Sequence, residues 1–76
     1  MDDRQRMCKV WEYIFQQTVT DDSDFFTDLD GDSMAAAALV HHVAEEFGVS
    51  LPLFEVFERP TPAELLAAVR DQLAVG

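Results

Sequence analysis

At 76 residues the chain has room for one small domain. An apolar share of 49% is enough for a modest core and too high for disorder despite the charge. The formal net charge of -10 argues against nucleic acid, whose phosphates need lysine and arginine partners, and equally against an anionic membrane surface; it favours partners with basic docking surfaces.

In chain order, Arg4, Arg6 and Lys9 lead into no apolar run of signal-peptide type, and no later stretch approaches membrane-spanning length. Met7, Val10, Trp11, Ile14 and Phe15 recur at helical spacing and predict an amphipathic first helix over residues 3–18. Trp11 is assigned to the core or its rim. Cys8, the single cysteine, rules out an internal disulfide and fits a reducing cytoplasm, the expected location. With apolar neighbours and nothing nearby to lower its pKa, it reads as a quiet, partly buried thiol. Residues 19–32 carry Asp21, Asp22, Asp24, Asp28, Asp30 and Asp32, a long connection of the kind that is commonly functional. Phe25, Phe26 and Leu29 are expected to tuck inward and fix its path.

Asp32 or Ser33 can cap a second helix that runs to about Phe47 and stops at Gly48. Its inner stripe is assigned to Ala36, Leu39 or Val40, Val43 and Phe47. Pro52 opens a short third turn bearing Leu53, Val56 and Phe57, with Phe57 at a core position and Phe54 outside. Thr61-Pro62-Ala63-Glu64 is a helix start: Thr61 as N-cap, proline at the first helical position and glutamate at the capping-box position. Leu65, Leu66, Val69 and Leu73 would form the inner face of the last helix. No strand-like alternation appears. The expected fold is all-α: a small right-handed bundle of three main helices plus one short helix, with a long loop between the first two.

The most telling segment is Phe25-Phe26-Thr27-Asp28-Leu29-Asp30-Gly31-Asp32-Ser33-Met34. A small, acidic, irregular stretch delivers one serine to the start of an apolar helix, with no second catalytic group near it. Such a hydroxyl suits modification by another enzyme better than chemistry of its own. The region from Asp24 to Leu66 resembles the phosphopantetheine-dependent carrier proteins, of the peptidyl or acyl type. Its matching pieces are Asp24-Phe25-Phe26, Leu29-x-Gly31-Asp32-Ser33-Met34, Leu39-Val40, Phe47-Gly48-Val49-x-Leu51-Pro52-Leu53, and Val56-Phe57-Glu58-x-Pro60-Thr61 followed by Glu64-Leu65. They come in family order and near family spacing. Asp30 departs from the commoner double glycine, and the smooth Ala35–Ala38 run departs from the longer or charged residue often found where Ala38 stands.

The resemblance implies a single carrier domain over residues 1–76, with Ser33 attached to a 4′-phosphopantetheine arm and Asp32 supporting it. The arm's thiol would hold an aminoacyl or peptidyl group as a thioester. The segments Leu51-Pro52-Leu53 and Val56-Phe57-Glu58-x-Pro60-Thr61 look more like peptidyl carriers of non-ribosomal synthesis than fatty-acid carriers, with acyl carriage in a polyketide or fatty-acid pathway as the alternative. Implied partners are a phosphopantetheinyl transferase, an adenylation enzyme using ATP, and condensation or tailoring enzymes. Met34, Ala37, Ala38, His41 and Phe54 are the expected docking residues, since small and apolar side chains on an exposed face often mark a contact surface. A non-catalytic monomer is expected. Because Met1 stands close before the first helix and Gly76 close after the last, a free-standing carrier is expected too.

Other constellations give less. With Gly31 at the sixth position of a calcium loop, the first and twelfth ligand positions fall on Phe26 and Ala37, which excludes an EF-hand. His41 and Glu45 lie one turn apart, yet a zinc site would lack further ligands, so no metal is expected. A small hydrolase using Ser33 would need a base at a triad-like station, and the sequence supplies none. An unmodified helical adaptor is the remaining class, separated from a carrier by whether the chain gains the phosphopantetheine mass.

Overall fold

The computed structural model describes residues 2–75 and is helical, with the order α1 (Asp3–Phe15), α2 (Ser33–Phe47), α3 (Phe54–Glu58) and α4 (Pro62–Val75). No strand occurs among the described residues. Met1 and Gly76, on which the free-standing expectation turned, lie outside them.

Helix α1 starts on a capping box that hydrophobic periodicity does not reveal. The Asp2 carboxylate accepts from the Gln5 N–H at 2.9 Å, and the Gln5 side chain accepts from the Asp2 N–H at 3.3 Å. The helix ends at Phe15, three residues short of the expected 18. Gln16 turns left-handed at φ 58°, and the Val19 N–H is drawn back to the Glu12 carboxylate at 3.0 Å. Helix α2 runs over the expected span and closes on Gly48 at φ 71°, where glycine tolerates a left-handed backbone. At the start of α4, the Thr61 hydroxyl accepts from the Glu64 N–H at 3.2 Å and donates to the Glu64 carboxylate at 2.9 Å. Glu64 thus reaches the cap's hydroxyl and not its backbone.

Helices α1 and α2 pack antiparallel. Arg6, near the start of α1, meets the end of α2: it donates to the Glu46 carboxylate at 2.9 Å and to the Glu46 carbonyl at 2.6 Å, and its guanidinium lies 4.6 Å from the centre of the Phe47 ring. Helix α4 packs on α1, and the short α3 on α4. The core joins Met7 and Trp11 of α1, Phe25 and Leu29 of the loop, Ala36, Leu39 and Val43 of α2, Val56 of α3, and Leu65, Leu66, Ala68 and Val69 of α4. On α2 the buried choice is Leu39, with Val40 and Phe47 only partly covered. Trp11 is fully buried and meets Phe25 edge-on at 6.0 Å; its Nε1–H has no partner among the described residues, so packing alone holds the ring.

Three inward assignments fail. Leu73 is 60% exposed, two turns after the first buried leucine of α4 and past the last buried residue, Val69. Phe26 and Phe57 are 42% and 38% exposed. The interior beside them is already filled by Phe25, and both rings lean on it from outside, at 5.1 and 6.3 Å, while stacking on each other at 5.7 Å.

Candidate functional site

The loop before α2 carries few helix-forming signals, yet its path is held by a dense set of bonds. The Asp24 carboxylate accepts from the Phe26 N–H at 2.8 Å and the Thr27 N–H at 2.9 Å, which builds a tight turn over residues 25–29. The Thr27 and Phe26 N–H groups hold the Asp24 carboxyl below its ordinary range, so it is ionised at neutral pH. Asp28 closes the turn from the other side by accepting from the Asp24 N–H at 2.8 Å. The loop is tied to the rest of the bundle where the Phe25 N–H donates to the Pro60 carbonyl at 2.6 Å and the Ala63 N–H donates to the Asp21 carbonyl at 3.2 Å. At the start of the loop, Arg4 bonds the Asp21 carboxylate at 2.9 Å.

Leaving this turn, Asp30 takes a left-handed backbone at φ 54°, which aspartate tolerates better than most residues. Gly31 then passes against the face of Phe25, and Asp32 caps α2: its carboxylate accepts from the Ala35 N–H at 2.9 Å. This decides between the two possible caps. Ser33 becomes the first residue of the helix, exposed, and its hydroxyl takes part in no hydrogen bond among the described residues.

A free, solvent-facing hydroxyl is the chemistry that a covalent phosphodiester needs. Nothing packs over Ser33, and the adjoining helix terminus carries the positive end of the α2 dipole, worth ~0.3–1 kcal/mol toward an anion. Asp28, Asp30 and Asp32 oppose it with exposed carboxylates. Among the described residues no arginine ion pair reaches these acids: Arg4 and Arg70 pair with Asp21 and Asp3, Arg6 with Asp3 and Glu46, Arg59 with Glu55 and Asp71. The approach to Ser33 is therefore strongly anionic.

Of the expected docking residues, Met34, next to the serine, is 82% exposed and Phe54 of α3 54%, with Ala37 and His41 of α2 also on the surface. Ala38 is only half-buried and so contributes less outward surface than expected. Phe26, expected to tuck inward from the loop, Phe57, expected at a core position, and Leu53 are exposed apolar side chains as well. The His41 imidazole meets the Glu45 carboxylate at 3.0 Å across one helical turn, and no cluster of three or more metal-ligating side chains forms among the described residues. Cys8 is half-buried with its Sγ 3.5 Å from the Asp21 carboxylate. Burial, and then the hydrogen bond to Asp21, push the thiol up to about 11, so at neutral pH it stays protonated and a poor nucleophile.

Residues 5–69 match the family model described as a phosphopantetheine attachment site. A plipastatin synthase of Bacillus subtilis (strain 168) is 35% identical over 66 residues, covering 87% of this chain; the chain spans 3% of that relative's length. A solution structure of an active-site mutant peptidyl carrier protein superposes with a TM-score of 0.81 at 26% identity, over 90% of this chain and 76% of the other. The structure of McyG A-PCP complexed with phenylalanyl-adenylate superposes with a TM-score of 0.79 at 27% identity, over 95% of this chain and 11% of that one.

Proposed function

The chain belongs to the phosphopantetheine attachment-site family, and from that premise we propose that it is a peptidyl carrier, modified on Ser33, in a non-ribosomal peptide pathway. Members of the family carry 4′-phosphopantetheine in covalent linkage. The observation that supports Ser33 as the attachment point is its hydroxyl: exposed, left free by the Asp32 cap, and inside the matched residues. When bound, the group supplies a thiol that holds an aminoacyl or peptidyl unit as a thioester on a flexible tether. The tether keeps that unit at high effective concentration near successive enzymes.

The protein's own part is presentation. Asp32 holds the first turn of α2 and so holds the serine. The domain, taken as residues 1–76, performs no catalysis; a phosphopantetheinyl transferase modifies it, an adenylation enzyme loads it, and condensation or tailoring enzymes unload it. It works as a cytoplasmic monomer. No described helix is long and apolar enough to cross a membrane.

The resemblance to a peptidyl carrier and to a carrier joined to an adenylation unit supports an amino acid as cargo. After conversion to the holo form, incubation with ATP, amino acids and an adenylation enzyme of its own pathway should add an aminoacyl mass to the intact protein. Acceptance of malonyl groups from its native partners, with no amino acid taken, would move the chain to the acyl carriers.

Met34, Ala37, Ala38, His41 and Phe54 form the proposed docking surface, together with the loop before Ser33 and the exposed Leu53 and Phe57. The apolar residues supply contact, and the acidic rim steers a basic partner, mainly through association rate and less so at high salt. Met34→Glu places a charge on this face next to Ser33 and should slow partner transfer about ten-fold, the effect of ~1.4 kcal/mol lost at a contact. Its circular dichroism should match the parent, because Met34 is exposed. Unchanged transfer in Met34→Glu, with losses from substitutions on the outer face of α4, would put docking elsewhere.

A further inference from the structure

Resting on the carrier reading, we propose that Phe25 is a positioning residue for the modification of Ser33, acting through a ring-to-backbone contact with Gly31. Phe25 is fully buried and fixed from several sides. Its N–H donates to the Pro60 carbonyl at 2.6 Å, and its own carbonyl accepts from the Gly31 N–H at 2.7 Å. Its ring meets Trp11 and Phe15 of α1 at 6.0 and 5.5 Å and Phe57 of α3 at 6.3 Å, each close to edge-on. One residue therefore ties α1 and α3, through its ring, and the turn before α4, through its backbone, to the approach to the serine.

Gly31 is the receiving end of that tie. A Cβ there would stand 2.5 Å from Phe25 Cε2 and Cζ and 2.8 Å from Cδ2, all ring atoms with nowhere to retreat. Its φ is not positive, so the position calls for glycine because of close approach and not because of backbone conformation. One residue separates Gly31 from Ser33, and that residue, Asp32, is locked as the cap of α2. The place of the Ser33 hydroxyl is set by a rigid series of contacts: the Phe25 ring, the Gly31 backbone, the Asp32 cap.

The transfer step is demanding about that place. The Ser33 oxygen bonds to the pantetheine-side phosphorus of coenzyme A, the bridging P–O bond of the pyrophosphate breaks, adenosine 3′,5′-bisphosphate leaves, and the hydroxyl proton passes to a base of the transferase. A displacement of ~1 Å in such a step can cost about a hundred-fold in rate. Because Phe25 is fully buried and so cannot itself touch a docked enzyme, its effect should fall on kcat and leave the transferase's KM for the protein within about two-fold.

The test is steady-state modification of the full chain by a broadly tolerant phosphopantetheinyl transferase with coenzyme A, read by intact mass. Gly31→Ala is expected to lower kcat at least ten-fold at a temperature where circular dichroism shows it folded. Val49→Ala, a buried change beyond α2, should leave kcat within two-fold, which a general loss of stability would not. The double variant Phe25→Leu/Gly31→Ala, with a smaller side chain facing the new methyl group, should recover part of the kcat lost in Gly31→Ala. A folded Gly31→Ala with the parent kcat overturns the proposal. If Gly31→Ala does not fold, Phe25→Leu alone decides: a lowered kcat with unchanged KM supports it, and the parent kcat overturns it. If the parent chain itself gains no mass at Ser33, the carrier reading fails, a result distinct from either of these.

Discussion

Replacing Ser33 by alanine is expected to abolish modification by a phosphopantetheinyl transferase while leaving the fold untouched. Its hydroxyl makes no hydrogen bond among the described residues, and the cap of α2 is Asp32. Alanine also has the better helix propensity, so the stability change should stay within about 0.5 kcal/mol. Asp32→Ala should cost more, ~0.5–2 kcal/mol, because it leaves the Ala35 N–H without its acceptor. Intact mass and peptide mapping read the first effect, and urea unfolding reads the second. Continued modification of the Ser33→Ala chain at another residue would remove Ser33 from the function proposed above.

The second large effect separates two neighbours of identical type. Phe25→Ala empties a fully buried position in the aromatic cluster and should cost ~3–5 kcal/mol. A domain of this length has a total stability of only about 4–11 kcal/mol, so this variant should be largely unfolded or close to it. Phe26→Ala loses a half-exposed stack on Phe57 and an edge contact with Phe25, worth ~0.5–1.5 kcal/mol. Urea denaturation of the two variants measures the difference directly. Equal losses would mean that Phe26 carries as much of the core as Phe25, contrary to the burial of only one of them.

That contrast also shows where reading the chain linearly stops. Helical segments were legible because each repeats a local rule. Met7, Trp11, Ala36, Val43, Leu65 and Val69 recur at 3.6-residue spacing and are buried or near it. Gly48 and the Thr61-Pro62 pair mark ends with residues whose conformational preferences are strong in any context. Ser33 was picked out as the candidate attachment point for a different reason: an ordered set of short motifs surrounds it, and it lies inside the residues that the family match covers.

The loop has no such period, so nothing local says which way its side chains turn. Phe25 goes in and Phe26 stays out because the Phe25 N–H is captured by Pro60, far along the chain, and because Asp24 curls the next residues into a turn. The same filled space excludes Phe57, which helical spacing alone would have buried. Leu73 lies on the spacing of an inner face but beyond the last neighbour able to cover it. Composition, periodicity and motif order determined an all-helical carrier with one presented serine. The choice of Asp32 as the cap of α2 was settled by a local bond to the Ala35 N–H that the sequence left open between two neighbours. Tertiary packing decided which aromatic side chain anchors the approach to that serine and why glycine stands at position 31, because Phe25 is held in place by Trp11, Phe15, Phe57 and Pro60 only once the chain has closed on itself.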